Sequence, residues 1–158
     1  MTESKYIWMD GEFVNWHDAK VHVLSHTLHY GNGAIEGTKA YKTVDGRCAI
    51  FKLNEHTQRL LNSSKMTLMN VPFTLEELNK AQIELLQKNE LFDGAYIRPL
   101  VYLGYGVMGL YHKEAPVKVS VSAWEWGAYL GEEGLRKGVR VKISSFTRTP
   151  NTSGMGKA

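Results

Sequence analysis

The helical segments of this chain come in one block, with strand-like segments before and after it instead of alternating with them. Ala95 to Leu103 and Val117 to Trp124 are rich in β-branched and aromatic residues and read as strands. Tyr6–Met9 and Glu12–Val14 flank Asp10-Gly11, a pair that tolerates the positive φ of a tight hairpin turn. Thr38–Thr43 and Arg47–Lys52 flank Asp45-Gly46 in the same way. Between these strands lies the helical block. One helix is expected after Asn54, a good N-cap, with Leu60, Leu61, Ser64 and Leu68 on roughly one face. Thr74 and Glu77 form a capping-box pattern for a second, in which Leu75, Leu78, Gln82, Leu85 and Leu86 follow near helical spacing. Strands and helices in separate runs argue for an α+β fold and against a doubly wound parallel sheet.

The stretch "EWGAYLGEEGLRKG" mixes glycines with charges, as linkers do, and Val139 to Ser144 alternates like a strand that opens a further domain. The expected organisation is a small α+β domain over 1–126, a linker over 127–138 and the start of a larger domain over 139–158. A chain of 158 residues, 43% apolar and 22% charged, can bury a real core. The net charge is only +3 and the basic residues are scattered, so nucleic acid is not an expected partner. A single cysteine, Cys48, excludes an internal disulfide and any cysteine-pair metal site, which suits a reducing, cytoplasmic setting. No apolar run approaches the ~20 residues that cross a bilayer, and the first residues lack the apolar core of a signal peptide.

Candidate site residues fall in four places. "SHTLHYGNGAIEGTKAY" (Ser25 to Tyr41) crowds two histidines, Tyr30 and three glycines into a short segment. It reads either as a tight loop between core strands or as backbone that approaches a ligand. His26 and His29, three apart, have no third metal ligand nearby and are expected to make structural hydrogen bonds. Arg59 sits about one turn into a helix. It is either a solvated surface arginine or a phosphate clamp, since its planar donor fork matches phosphate oxygens. Tyr96 and Arg98, two apart in a strand, share a face; this is either a half-exposed edge strand or a pocket for a carboxylate. Trp126 and Tyr129 flank Gly127-Ala128 and are either core aromatics or a pocket wall.

Taken in order, Trp8 with Gly11 in "IWMDGEFVNWHDAKVHVLSHTLHYG", Glu36-Gly37, "EHTQRL", "AYIRPL", "WGAYLG" and "SSFTR" resemble the branched-chain amino-acid aminotransferases. These are class IV, fold-type IV pyridoxal-phosphate enzymes. The resemblance spans essentially the whole chain. It implies that Arg59 grips the phosphate of pyridoxal 5'-phosphate. It implies that Tyr96 and Arg98 lie on the carboxylate side of the substrate pocket, with Tyr30, Trp126 and Tyr129 as aromatic walls. Met108 and Leu110 match a loop that in the family reaches a partner subunit's pocket, so a homodimer or higher homo-oligomer is expected. Two positions depart: Ile35 stands where the family often has phenylalanine, reshaping the apolar wall, and Lys39 stands near where it has arginine.

The register from Arg148 implies that Lys157-Ala158 are the two residues before the Schiff-base lysine, expected immediately after Ala158, with Lys157 the alternative. The implied reaction is transamination of leucine, isoleucine and valine with 2-oxoglutarate. The residues given, lacking that lysine, are not expected to transaminate alone. A D-amino-acid aminotransferase or an aminodeoxychorismate lyase of the same fold is the near alternative; a non-catalytic ligand-binding domain is the more distant one.

Overall fold

The computed structural model describes residues 2–127, 131–147 and 150. Among the described residues seven strands form one sheet: β1 (Tyr6–Met9), β2 (Glu12–Asn15), β3 (Gly33–Ile35), β4 (Thr38–Lys42), β5 (Cys48–Ile50), β6 (Ala95–Leu103) and β7 (Val117–Glu125). The path runs β2-β1-β7-β6-β4-β5, with β3 also paired to β6, and every pairing is antiparallel. The helices are α1 (His26–Tyr30), α2 (Leu53–Met66), α3 (Leu75–Lys88) and α4 (Gly131–Lys137). This is the expected α+β arrangement.

Strand alternation decides which face each residue takes. Ala95, Ile97, Val101 and Leu103 of β6 are buried, in one cluster with Val121 of β7 and with Leu60, Leu78 and Leu85 of α2 and α3. The two helices therefore cover one face of the sheet. Tyr96, Arg98 and Leu100 alternate with those residues and are only half-buried, on the opposite face. Asp10-Gly11 makes the first hairpin turn, with φ of 50° and 103°. Trp8 packs edge-on against Phe73 at 5.0 Å, beneath that turn. Thr74 and Glu77 complete the capping box of α3.

Pro99 explains the local shape of the sheet. Proline cannot donate to a ladder, so a central strand normally excludes it. Here β4 pairs with Tyr96 and Ile97, whereas β3 pairs with Leu100 to Tyr102. Pro99 sits where β6 changes neighbours, and its carbonyl accepts from the Glu36 N–H at 3.0 Å. Glu36 and Gly37 thus occupy a notch between β3 and β4.

Three local expectations fail. Helix α2 starts at Leu53, not after Asn54; Asn54 instead accepts a bond from Asn79 at 2.6 Å. Leu68 lies beyond α2 with a φ of 59° and is exposed, while Met69 is buried in its place. Val139 to Ser144 is not a strand: it has the alternation, but no neighbouring strand pairs with it among the described residues.

Candidate functional site

The notch gathers a cluster of charge from both sides. His56 and Arg59, three apart on α2, lie on one helical face, and both reach Glu36. The Arg59 guanidinium grips the Glu36 carboxylate through two nitrogens, Nε to Oε1 and Nη2 to Oε2, the latter at 2.8 Å. His56 Nδ1 meets Oε2 at 2.8 Å, and the Gly37 N–H donates to the same oxygen at 3.2 Å. Glu36 itself is only 5% exposed. Burial alone would raise its pKa, but the bonds from Arg59 and His56 outweigh that and hold it below the ordinary glutamate value. Because the folded-state value is the lower one, the stability this carboxylate contributes is present above the ordinary glutamate range. It is lost as the pH falls through the lowered value. The bond to Glu36 in turn raises the Arg59 pKa. Among the described residues, Nη1 of Arg59 has no partner, and the side chain is 42% exposed.

Across the notch, on the open face of the sheet, lies the second group. Arg98 Nη2 donates to the Tyr96 hydroxyl at 2.9 Å, and the guanidinium lies over the Tyr96 ring at 5.1 Å. Arg98 Nε is buried and unbonded among the described residues, with no carboxylate beside it. Trp126 meets the Tyr96 ring edge-on at 4.6 Å, and Trp124 lies at 5.2 Å from it. Lys39 is the cross-strand partner of Tyr96 and so shares this face.

Gly37 is where the two groups meet. A Cβ on Gly37 would lie 2.8 Å from Tyr96 Cζ and closer still to its hydroxyl. Gly37 does not need a left-handed φ; it needs the absence of a side chain. Tyr96 is packed against two tryptophans, so its ring can move away only by disturbing them. Gly37→Ala should therefore force the Tyr96 ring out of place and destabilise the fold by about 1–3 kcal/mol. Gly127→Ala, with nothing within 4 Å of the added carbon, should leave stability unchanged. Thermal melts and tryptophan emission of the two variants check this; equal melts would contradict the packing described.

The remaining predicted residues lie nearby. Ile35, 58% exposed, opposes Leu100 on the open face. The Tyr30 hydroxyl accepts from the Gly109 N–H at 3.1 Å, and His26 Nε2 meets the Gly109 carbonyl at 2.8 Å. Helix α1 thereby holds the loop carrying Met108 and Leu110, which are 47% and 88% exposed. His29 Nε2 bonds to the Val23 carbonyl at 2.9 Å, so both histidines make the structural bonds expected of them. Tyr129, Arg148, Lys157 and Ala158 lie outside the described residues. Sequence reasoning assigned no role to Glu36. Its one visible signal is an acid set among small and apolar neighbours; the partner, Arg59, is brought to it only by the fold.

The family model described as Amino-transferase class IV matches residues 33–156. The chain belongs to the class IV aminotransferases. It is 49% identical over 142 residues to the branched-chain-amino-acid aminotransferase of Pseudomonas aeruginosa, covering 90% of this chain and 46% of that relative. The crystal structure of the Escherichia coli branched-chain amino acid aminotransferase superposes with a TM-score of 0.89 at 41% identity, over 94% of this chain and 49% of that one. The T.th. branched-chain amino acid aminotransferase, crystallised with pyridoxamine 5'-phosphate, gives a TM-score of 0.89 at 45% identity, over 100% of this chain and 52% of that one. The chain thus spans about half the length of the class IV aminotransferases it matches. The notch lies within the matched region, since the family match begins at Gly33 and includes Glu36, Arg59 and Arg98.

Proposed function

We propose that the intact protein is a pyridoxal-phosphate-dependent aminotransferase that moves the amino group of leucine, isoleucine or valine to 2-oxoglutarate. One observation carries this reading: two arginines with unpaired donors stand on either side of a single glycine, one of them against an aromatic wall. Such a site suits a phosphate at one end, a carboxylate at the other and an apolar chain between them. The names of the relatives supply the same chemistry from an independent direction.

The residues fit the cofactor's phosphate. Arg59 keeps Nη1 and an outer N–H free of Glu36, and a charged fork of this kind binds phosphate oxygens well. When bound, pyridoxal phosphate supplies a conjugated ring that takes up the electrons released with the α-proton. The chain's own residues bind and orient. Arg98 and the Tyr96 hydroxyl receive a carboxylate that apolar walls alone would reject. Ile35, Tyr30 and Trp126 are assigned to the apolar sides, and the family resemblance assigns Tyr129 to them as well. By the register from Arg148, the amine that moves the proton is assigned to a lysine following Ala158, not to Lys157.

The loop of Met108 and Leu110 is assigned to a homodimer contact, in which it completes the partner subunit's pocket. Its exposed apolar side chains, pinned through Gly109, support that role. Residues 139–158 are assigned to a second domain, joined by 127–138 to a small domain over 1–126. The exposed row of Val141, Ile143 and Phe146 supports this, because such a row calls for apolar cover. No helix among the described residues is long and apolar enough to cross a membrane, and the free thiol of Cys48 suits the cytoplasm.

The test is amino transfer by the intact protein across a substrate panel. Leucine, isoleucine and valine should each form glutamate from 2-oxoglutarate. Preference for D-amino acids, or absence of transfer from all three, would contradict the reading.

A further inference from the structure

The residue that no role yet explains is Glu36. A buried carboxylate beside an arginine that receives a phosphate is at first sight a poor choice, since it places negative charge near an anion. The geometry gives it another task. Arginine has a long, mobile side chain, and a donor fork that wanders must be ordered when its ligand arrives. Glu36 is rigid: it sits between β3 and β4, its own N–H is bonded to the Pro99 carbonyl, and its Oε2 also receives the Gly37 N–H. It takes two nitrogens of Arg59 on one edge, which fixes the guanidinium plane and leaves Nη1 without a partner among the described residues. His56 belongs to the same device. A carboxylate held ionised can only accept, so Nδ1 of His56 carries the proton it donates, and Oε2 is saturated. With both carboxylate oxygens engaged from inside the protein, little of the negative charge is left to repel an incoming anion.

We propose that Glu36, supported by His56, is a positioning residue that holds the Arg59 fork ready for the cofactor phosphate, so that the arginine's freedom is given up during folding and not during binding. The inference rests on the reading of Arg59 as the phosphate's partner.

A measurement on two ligands separates this role from a merely structural one. Pyridoxal lacks the phosphate but keeps the ring and aldehyde of pyridoxal phosphate. In the intact protein, Glu36→Gln should weaken pyridoxal phosphate binding by about 10- to 100-fold, the usual scale for a supporting residue one bond removed from a ligand. Pyridoxal binding should change less than about twofold, because the device acts on the phosphate alone. The double variant E36Q/R59A should bind pyridoxal phosphate no more weakly than R59A, since coupled residues are not additive. Glu36→Asp, which keeps the charge but withdraws it by one methylene, should show the same phosphate-selective loss in smaller degree; it serves as the reporter if E36Q melts too low to study. Unchanged pyridoxal phosphate affinity in E36Q, or equal losses for both ligands, would overturn the inference. Should R59A itself bind pyridoxal phosphate normally, the underlying reading of Arg59 fails instead, and the two failures are distinct.

Discussion

Replacing Arg59 by alanine is expected to weaken pyridoxal phosphate binding by the intact protein about 100-fold. The magnitude follows from the fork. A hydrogen bond to a charged group contributes about 1.5–3 kcal/mol, and a hundredfold loss in affinity corresponds to about 2.7 kcal/mol. The same change acts on the protein without ligand. It strips Glu36 of two donors and leaves a buried carboxylate with only His56 and the Gly37 N–H. An under-bonded buried polar group costs about 1–3 kcal/mol, so the apo protein should also melt earlier. Arg59→Lys separates the two effects. It restores the charge but not the planar fork, so it should recover part of the stability and little of the phosphate affinity. Equilibrium dialysis and thermal melts of the three proteins read both quantities. Affinity unchanged in R59A would remove the arginine from the site.

Replacing Arg98 by alanine is expected to split the two halves of the reaction. Truncating one partner of a desolvated charge pair costs about 2–5 kcal/mol. In kcat/KM for 2-oxoglutarate this is a fall of about 30- to 5000-fold, while leucine, whose side chain carries no charge, should lose less than about tenfold. The structure gives the reason for the asymmetry. Among the described residues Arg98 has no carboxylate beside it, its Nε is buried and unbonded, and its Nη2 donates to the Tyr96 hydroxyl. An arginine left in that condition is waiting for an acid. Tyr96→Phe removes the hydroxyl and keeps the ring against Trp124 and Trp126, so it should reproduce a milder form of the same split. Equal losses for both substrates in R98A would refute the role.

What could be read in the sequence was local, or was carried by a period. Thr74 and Glu77 are three apart and cap their own helix, so the capping box is complete without any tertiary help. Asp10-Gly11 and Asp45-Gly46 turn hairpins for the same reason. Tyr96 and Arg98 share a face because a strand leaves no other choice. The failures are places where a distant partner decided the outcome. Asn54 had the chemistry of a cap, but Asn79 on the next helix claimed its side chain, and α2 began earlier. Val139 to Ser144 had the alternation of a strand and, among the described residues, lacked a neighbour to pair with. Ser25 to Tyr41 left two readings open because α1 and β3 are too short to show a period; pairing with β6 and the contacts with Gly109 define them. Glu36 was the hardest to read. It is 23 residues from Arg59 in the chain, and its meaning appears only when α2 folds back over the notch.

The central claim is that the notch holds a phosphate-bearing aldehyde through its phosphate. Equilibrium dialysis of the intact wild-type protein against pyridoxal phosphate and against pyridoxal, followed by a visible absorbance scan, tests it most directly. The account predicts a coloured protein that retains pyridoxal phosphate and binds pyridoxal far more weakly; a colourless protein, or one that holds both ligands equally, would contradict it.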